Sequence, residues 1–428
     1  MARMRWSRVL LAVMAAFVFA GAAEAKKHHG DDDEDKPKKK KKQSTTALVN
    51  VQLPDGVTRL PYLQSLAADS VLVVWTATAP GEPHVDFGPT DTYGSTVRAT
   101  SEGARHVAVL RGLRPGTLYQ YRVRAGERVL AAGPQYQFRT GEGPADTRYS
   151  FFVTGDVGDP EGDHVKTSES ILRADPLPEF GLICGDVVYD DGRSEDYDAN
   201  LMTPWRNLLC RIPLWPALGN HDWHVDPENN FRREWYLPNN EHYYSFNWGN
   251  AHFIALDTRD DDIYDLPNQV AWLERDLAAN RSAAWTFVYF HHPGITCTYK
   301  GYSKPVVEHF LPVFDRYEVD VVFNGHAHTY ERLYPIRAGQ PVDKQQDPNY
   351  VDPRGTIYIV SGAGSSPKEG KPTARCGPTA AARDQTVLWT LVEVDGAKCT
   401  IRSRTSDGDQ PVDVMTLTKT RLTQRSAR

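Results

Sequence analysis

The sequence predicts a two-part fold, an all-β sandwich followed by a layered α/β domain. Three observations carry this expectation. Residues 57–141 hold short apolar runs separated by Gly and Pro turns. From residue 148 to residue 420, apolar strand-like runs alternate with segments of helical period. The chain has 428 residues, 40% of them hydrophobic and 24% charged. That composition excludes a disordered chain and a polytopic membrane protein.

The first 25 residues read as a cleavable secretory signal. Arg3, Arg5 and Arg8 precede an apolar run from Val9 to Ala20, and Ala23-Glu24-Ala25 supplies an A-x-A cleavage site. The run is short for a bilayer span and no later stretch is long enough, so the mature chain is expected to lack a transmembrane segment. An uncleaved anchor is the alternative. The mature protein would begin near Lys26, in a secreted or periplasmic location. Residues 26–56 follow as a charged low-complexity linker, whose like-charge blocks read as a flexible spacer. His28-His29 within it lack the further ligands of a metal site.

Charge narrows the partners. Of a formal net charge of −6, residues 1–25 carry +2 and residues 26–42 carry +3, leaving −11 for the rest. An acidic body argues against a nucleic-acid polymer held on a broad basic face. An anionic substrate would need local positive charge, such as metal ions. The five cysteines are an odd number, so at least one is free or pairs between chains. Cys297 and Cys376 lie in Gly/Pro-rich loops and are the candidates for a bridge. Cys184 and Cys399 sit in apolar runs and read as core thiols.

In the first domain, Val71–Trp75, His106–Leu110 and Tyr119–Val123 are the strand candidates, with turns such as Arg114-Pro115-Gly116 between them. Their spacing suggests a sandwich of the fibronectin type III kind, and nothing in it resembles a catalytic cluster. Gly141-Glu142-Gly143-Pro144 reads as a linker. In the second domain the expected strands are Tyr149–Thr154, Phe180–Cys184, Ile212–Leu218, Trp285–Phe290, Val319–Phe323 and Thr356–Val360. A helix is expected over Asn268–Asn280, with Val270, Leu273 and Leu277 on one face and Asn268 as N-cap. Tyr243–Phe246 and His252–Leu256 suggest a hairpin.

Polar clusters follow these runs. They are Gly155-Asp156-Val157-Gly158, Gly185-Asp186-Val187-Val188-Tyr189, Gly219-Asn220-His221-Asp222, His291-His292-Pro293 and Gly325-His326-Ala327-His328. Strand carboxyl ends in α/β sheets face a common crevice, so side chains scattered over 173 positions can converge. Carboxylates and imidazoles suit borderline divalent and trivalent metals, and one carboxylate can bridge two ions about 3.5–4 Å apart. Each block alone is a weak signal; all five in this order, each after a strand, are specific.

The five blocks resemble the signature of purple acid phosphatases, within the calcineurin-like metallophosphoesterase superfamily. The resemblance covers about residues 57–405, because plant-type members share the fibronectin-like first domain. Gly158 stands where the wider superfamily usually has His, and Tyr189 follows Asp186 by three residues; both changes mark the purple branch. The resemblance implies a layered αββα catalytic sandwich and a dinuclear centre. Asp156, Asp186, Tyr189 and His328 would hold Fe(III), which a hard phenolate donor favours. Asp186, Asn220, His291 and His326 would hold a divalent ion (Fe, Zn or Mn), with Asp186 bridging.

The implied reaction is hydrolysis of small phosphate monoesters by a metal-bound hydroxide attacking in line. His221 is expected to assist the leaving oxygen as the catalytic residue, with support of a ligand as its other reading. Asp222 reads as an orienting partner. His292 lines the pocket or caps the turn before Pro293, and the turn reading is favoured. Ile295–Lys300 replaces the further His pairs that plant-type relatives often carry, which bears on substrate range; Tyr299 and Lys300 either contact phosphate or belong to an ordinary exposed loop. Glu331 and Arg332 read as an internal ion pair, and Asp190-Asp191 and Asp260-Asp261-Asp262 as solvated loop ends. Two alternatives remain: a phosphodiesterase or nucleotide hydrolase on the same centre, and a catalytically silent surface-binding protein.

Overall fold

The computed structural model describes residues 53–160, 162–224, 227–259, 263–367 and 377–421. The expected signal, most of the charged linker, Asp260-Asp261-Asp262 and Cys376 lie outside the described residues. No helix among the described residues is long and apolar enough to cross a membrane.

Alternating apolar positions fold the first domain into two facing antiparallel sheets. One sheet orders Val57–Gln64, Ser70–Ala77, Arg105–Arg111 and Thr100–Glu102. The other orders Ser95–Arg98, Pro83–Gly88, Leu118–Ala125 and Arg128–Ala131, with Gln137–Arg139 also pairing the third strand. Leu63, Val73, Trp75, Val85, Leu110, Tyr121 and Val123 fill the space between them.

The second domain is a four-layer αββα sandwich. Its first sheet orders Leu214–Ala217, Phe180–Cys184, Arg148–Thr154, Leu388–Asp395, Lys398–Thr405, Pro411–Thr418 and Asn349–Val351. The leading three strands are parallel, and the Leu388–Thr418 stretch adds an antiparallel meander. The second sheet orders Tyr244–Trp248, Ala251–Ala255, Trp285–Phe290, Val321–Asn324, Ile357–Ser361, Tyr330–Leu333 and Thr379–Arg383. Its central four strands are parallel. Aromatic rings join the sheets: Phe151 of the first lies 5.1 Å from Phe253 and 5.2 Å from Phe287 of the second. Each such pair adds about 0.5–1.5 kcal/mol beyond its buried area.

Helices cover both outer faces. His164–Leu172 and Arg206–Leu209 pack Ile171 and Leu208 on Phe152, Ile183 and Trp389. Leu266–Ala279 and Leu311–Tyr317 pack Leu273, Leu277 and Phe314 on Ile254, Val288 and Val322. The Leu266–Ala279 helix begins two residues before the expected N-cap. Pro267 in its first turn needs no hydrogen-bond partner, and Asn268 instead donates to Asp265 Oδ1 at 2.8 Å.

The expected Glu331–Arg332 pair does not form. Neighbours on one strand point to opposite faces. Glu331 accepts from Thr296 Oγ1 (2.6 Å), Cys297 N (3.0 Å) and Thr379 Oγ1 (2.7 Å), while Arg332 Nε binds Asp413 at 2.5 Å. Cys184, Cys210 and Cys399 are buried free thiols and Cys297 is disulfide-bonded.

The two domains share a polar seam at the end of the short helix Pro227–Glu234. Arg59 of the sandwich binds Glu234 and, at 2.6 Å, Asp198. Gln64 donates to the Glu234 carbonyl at 2.7 Å and accepts from Tyr236 N at 2.5 Å. Tyr121 Oη donates to the Cys210 carbonyl at 2.7 Å.

Candidate metal centre

The parallel strands of both sheets end at one crevice, and sharp turns carry the polar blocks into it. Asp156, Asp186 and His326 take left-handed backbone with φ of +58°, +50° and +69°. Such conformations in non-glycine residues cost about 1–3 kcal/mol each and cluster at functional sites. Two glycines keep the backbone close. A Cβ on Gly219 would stand 2.2 Å from Asp186 Oδ1, and one on Gly325 would stand 2.7 Å from Asp156 Oδ2.

All seven expected ligands meet there. Tyr189 Oη lies 3.0 Å from Asp156 Oδ1, 2.9 Å from Asp186 Oδ2 and 3.1 Å from His328 Nε2. His291 Nε2 lies 3.2 Å from Asp186 Oδ2, 3.1 Å from Asn220 Oδ1 and 3.3 Å from His326 Nδ1. His328 Nε2 is 3.3 Å from Asp156 Oδ1. One ligand atom each of Asp156, Asp186 and His291 lies within 4.8 Å of the others. Backbone bonds hold the frame: His326 N donates to Asp156 Oδ2 and His221 N to Asp186 Oδ1, both at 2.9 Å.

The donor set fits a pair of cations. Both carboxylates are buried, and among the described residues their ion-pair partners are histidines. A phenol carries one proton, yet two carboxylate oxygens crowd the Tyr189 oxygen. One proton cannot serve both, whereas cations would bind the phenolate and both carboxylates together. Burial, followed by the charges of Asp156 and Asp186, pushes the Tyr189 phenol well above its ordinary range. Burial works against charge on Asp186, but His291 and His221 hold its carboxyl well below the usual range. Burial works against charge on His291 too, yet Asp186 raises it to about 9.

His221 turns its ring beside this cluster. Its Nδ1 donates to the Asp190 carbonyl at 2.7 Å, and its ring centroid is 4.1 Å from that of Tyr189. Asp222 has the orienting place that the sequence suggests. Its two oxygens accept from Val187 N (2.9 Å), Val188 N (3.1 Å) and Gly219 N (2.9 Å), tying the Asp186 and Asn220 turns together. Burial and the Asp186 charge raise its carboxyl to about 7.

His292 stands inside the imidazole cluster. Its ring centroid is 4.1 Å from that of His326, and burial, then His291, pushes its imidazole down to about 3. Sequence reasoning favoured the turn-capping role over pocket lining, although two adjacent histidines after a buried strand were the available signal for the latter. Thr258, which anchors His292, carried no signal at all. Tyr299 Oη accepts from His328 N at 3.2 Å, and Lys300 is exposed.

The fold and the cluster agree with a family match: the calcineurin-like phosphoesterase model matches residues 149–330. The model of the purple acid phosphatase N-terminal domain matches residues 60–140. Purple acid phosphatase 15 of Arabidopsis thaliana is 30% identical over 306 residues, covering 62% of this chain and 54% of that protein. Acid phosphatase type 7 of Mus musculus is 26% identical over 341 residues, covering 69% and 74%. Among solved structures, a purple acid phosphatase from yellow lupin (Lupinus luteus) seeds superimposes with a TM-score of 0.74 at 19% identity, over 84% of this chain and 74% of that one. PhoD gives 0.59 at 14% identity, over 85% and 88%. Residues 60–140 and 149–330 are thus similar to the two parts of purple acid phosphatases. The chain spans about half the length of the plant relative named first.

Proposed function

We propose that the protein is a secreted dinuclear-metal phosphatase acting on small phosphate monoesters. The observation that carries this reading is the Tyr189 phenol set within 3.0 Å of two buried carboxylates. Asp156, Asp186, Tyr189 and His328 would hold Fe(III), and Asp186, Asn220, His291 and His326 a divalent ion. Once bound, the pair supplies positive charge for the phosphate oxygens and acidifies water as the nucleophile.

The chain's own residues do the rest. His221 donates a hydrogen bond from Nδ1–H to the Asp190 carbonyl, which leaves Nε2 to face the leaving group. In its protonated form that nitrogen donates to the departing oxygen. Asp222 keeps the Asp186 and Asn220 turns in register, so the donors meet without rearrangement. Secretion is supported by the leader pattern of residues 1–25 and by a disulfide at Cys297, which suits an oxidising compartment.

The test uses mature protein loaded with iron and zinc. It compares turnover of an aryl phosphate monoester with that of the matching diester under acidic conditions. Preference for the monoester is expected. Preference for the diester would make the protein a phosphodiesterase, and no turnover at full metal occupancy would end the hydrolase reading.

A further inference from the structure

Besides His221, an imidazole of the crevice stands outside the seven-residue ligand set, and it is held as firmly as those within it. Thr258, itself fully buried, grips His292 twice. Its Oγ1 accepts from His292 N at 3.0 Å, and its carbonyl accepts from His292 Nδ1. A carbonyl only accepts, so Nδ1 carries the proton and Nε2 keeps the lone pair. His291 is arranged alike: its Nδ1 donates to the Cys184 carbonyl at 2.8 Å while Nε2 faces Asp186 and Asn220. Donation from one ring nitrogen to a backbone carbonyl is the usual way a metal-ligating histidine is oriented.

Position agrees with orientation. The His292 ring centroid lies 4.1 Å from that of His326 and 4.9 Å from that of His291. A nitrogen from each of His291, His292 and His326 lies within 4.8 Å of the other two. A histidine that only capped the turn before Pro293 would have no reason to bring its ring into this cluster.

We infer that His292 is a further ligand of the second cation, through Nε2. The donor set there becomes the imidazoles of His291, His292 and His326, the Asn220 amide oxygen and the bridging Asp186 carboxylate. This rests on the dinuclear-phosphatase reading. A nitrogen-rich set favours zinc over harder ions such as manganese.

The test starts with unmodified mature protein carrying iron in the first site and zinc in the second. Zinc-edge X-ray absorption counts the imidazoles on zinc. Three are expected; two would overturn the inference while leaving the dinuclear reading intact. Failure to bind any metal would overturn that reading as well. Two variants give an independent readout. His292→Asn keeps an amide donor for Thr258 but deletes Nε2, and His292→Gln restores a polar atom near the Nε2 position. Competition of metal-depleted protein against a zinc chelator should show the second site weakened at least about 10-fold in His292→Asn and partly recovered in His292→Gln. The visible band of the Tyr189–iron site should persist in both. Unchanged zinc affinity in His292→Asn would overturn the inference.

Discussion

Asp222→Ala probes how the ligand-bearing turns are held. The carboxylate accepts from three backbone N–H groups, those of Val187, Val188 and Gly219, and all three residues are buried. Alanine strands all three donors. At about 1–2 kcal/mol for each orphaned buried donor, the loss is about 4 kcal/mol. Removing the charge beside Asp186 relieves repulsion and offsets about 1 kcal/mol of this. The net expectation is about 3 kcal/mol, a factor of roughly 150 in the folding equilibrium. Asp222→Asn should fall between the two. Its single carbonyl oxygen can replace only one of the two accepting oxygens, and its amide group opposes an N–H. Urea unfolding followed by tryptophan fluorescence, on metal-depleted protein, measures both variants. A stability within about 0.5 kcal/mol of wild type for Asp222→Ala would refute this account of the turns.

Tyr189→Phe should remove any visible phenolate-to-iron absorption while the far-ultraviolet circular dichroism stays native; an unchanged visible spectrum would exclude Tyr189 as a ligand. His221→Ala should slow esters with poor leaving groups at least about 10-fold more than esters with good ones, and equal losses would remove its role at the leaving oxygen. Glu179 tests pH dependence away from the metals. Burial raises its carboxyl from 4.5 to about 7, against a hydrogen bond from Trp248 Nε1 at 2.9 Å that favours the charged form. The folded state prefers the protonated acid, so this stabilisation is complete below about pH 4.5 and fades as pH rises through about 7. Glu179→Gln should therefore gain on wild type by about 2 kcal/mol between pH 5 and pH 8 in urea unfolding. A difference that stays constant with pH would contradict it.

What could be read from the sequence depended on burial. Phe180–Cys184 and Trp285–Phe290 form with the expected bounds because both runs are almost wholly apolar and are buried along their length. The polar blocks stood out for the same reason: each interrupts an apolar run at a glycine or a histidine. The meander of Leu388–Asp395, Lys398–Thr405 and Pro411–Thr418 was less visible. Arg402, Arg404 and Asp413 interleave with its apolar residues, so no continuous run announces the last two strands. Asn268 misled because a cap-forming side chain sat beside a proline that starts helices equally well. Glu331 and Arg332 misled because adjacency in sequence means opposite faces in a strand. The tertiary partners Thr258, Cys184 O and Asp190 O could not be found by pattern, since backbone atoms and a lone threonine leave no trace in residue type.

The seam around Glu234 gives the fibronectin-like domain a mechanical duty. Arg59 neutralises the Glu234 carboxylate, while Gln64 and Arg105 satisfy its carbonyl. Cutting the chain after residue 140 would leave an acid and a carbonyl solvated on a newly bared apolar surface. That surface adjoins the helix that follows the His221–Trp223 turn. The first domain is thus a splint, and a shortened chain would be expected to lose the set of His221 before it lost its sheets.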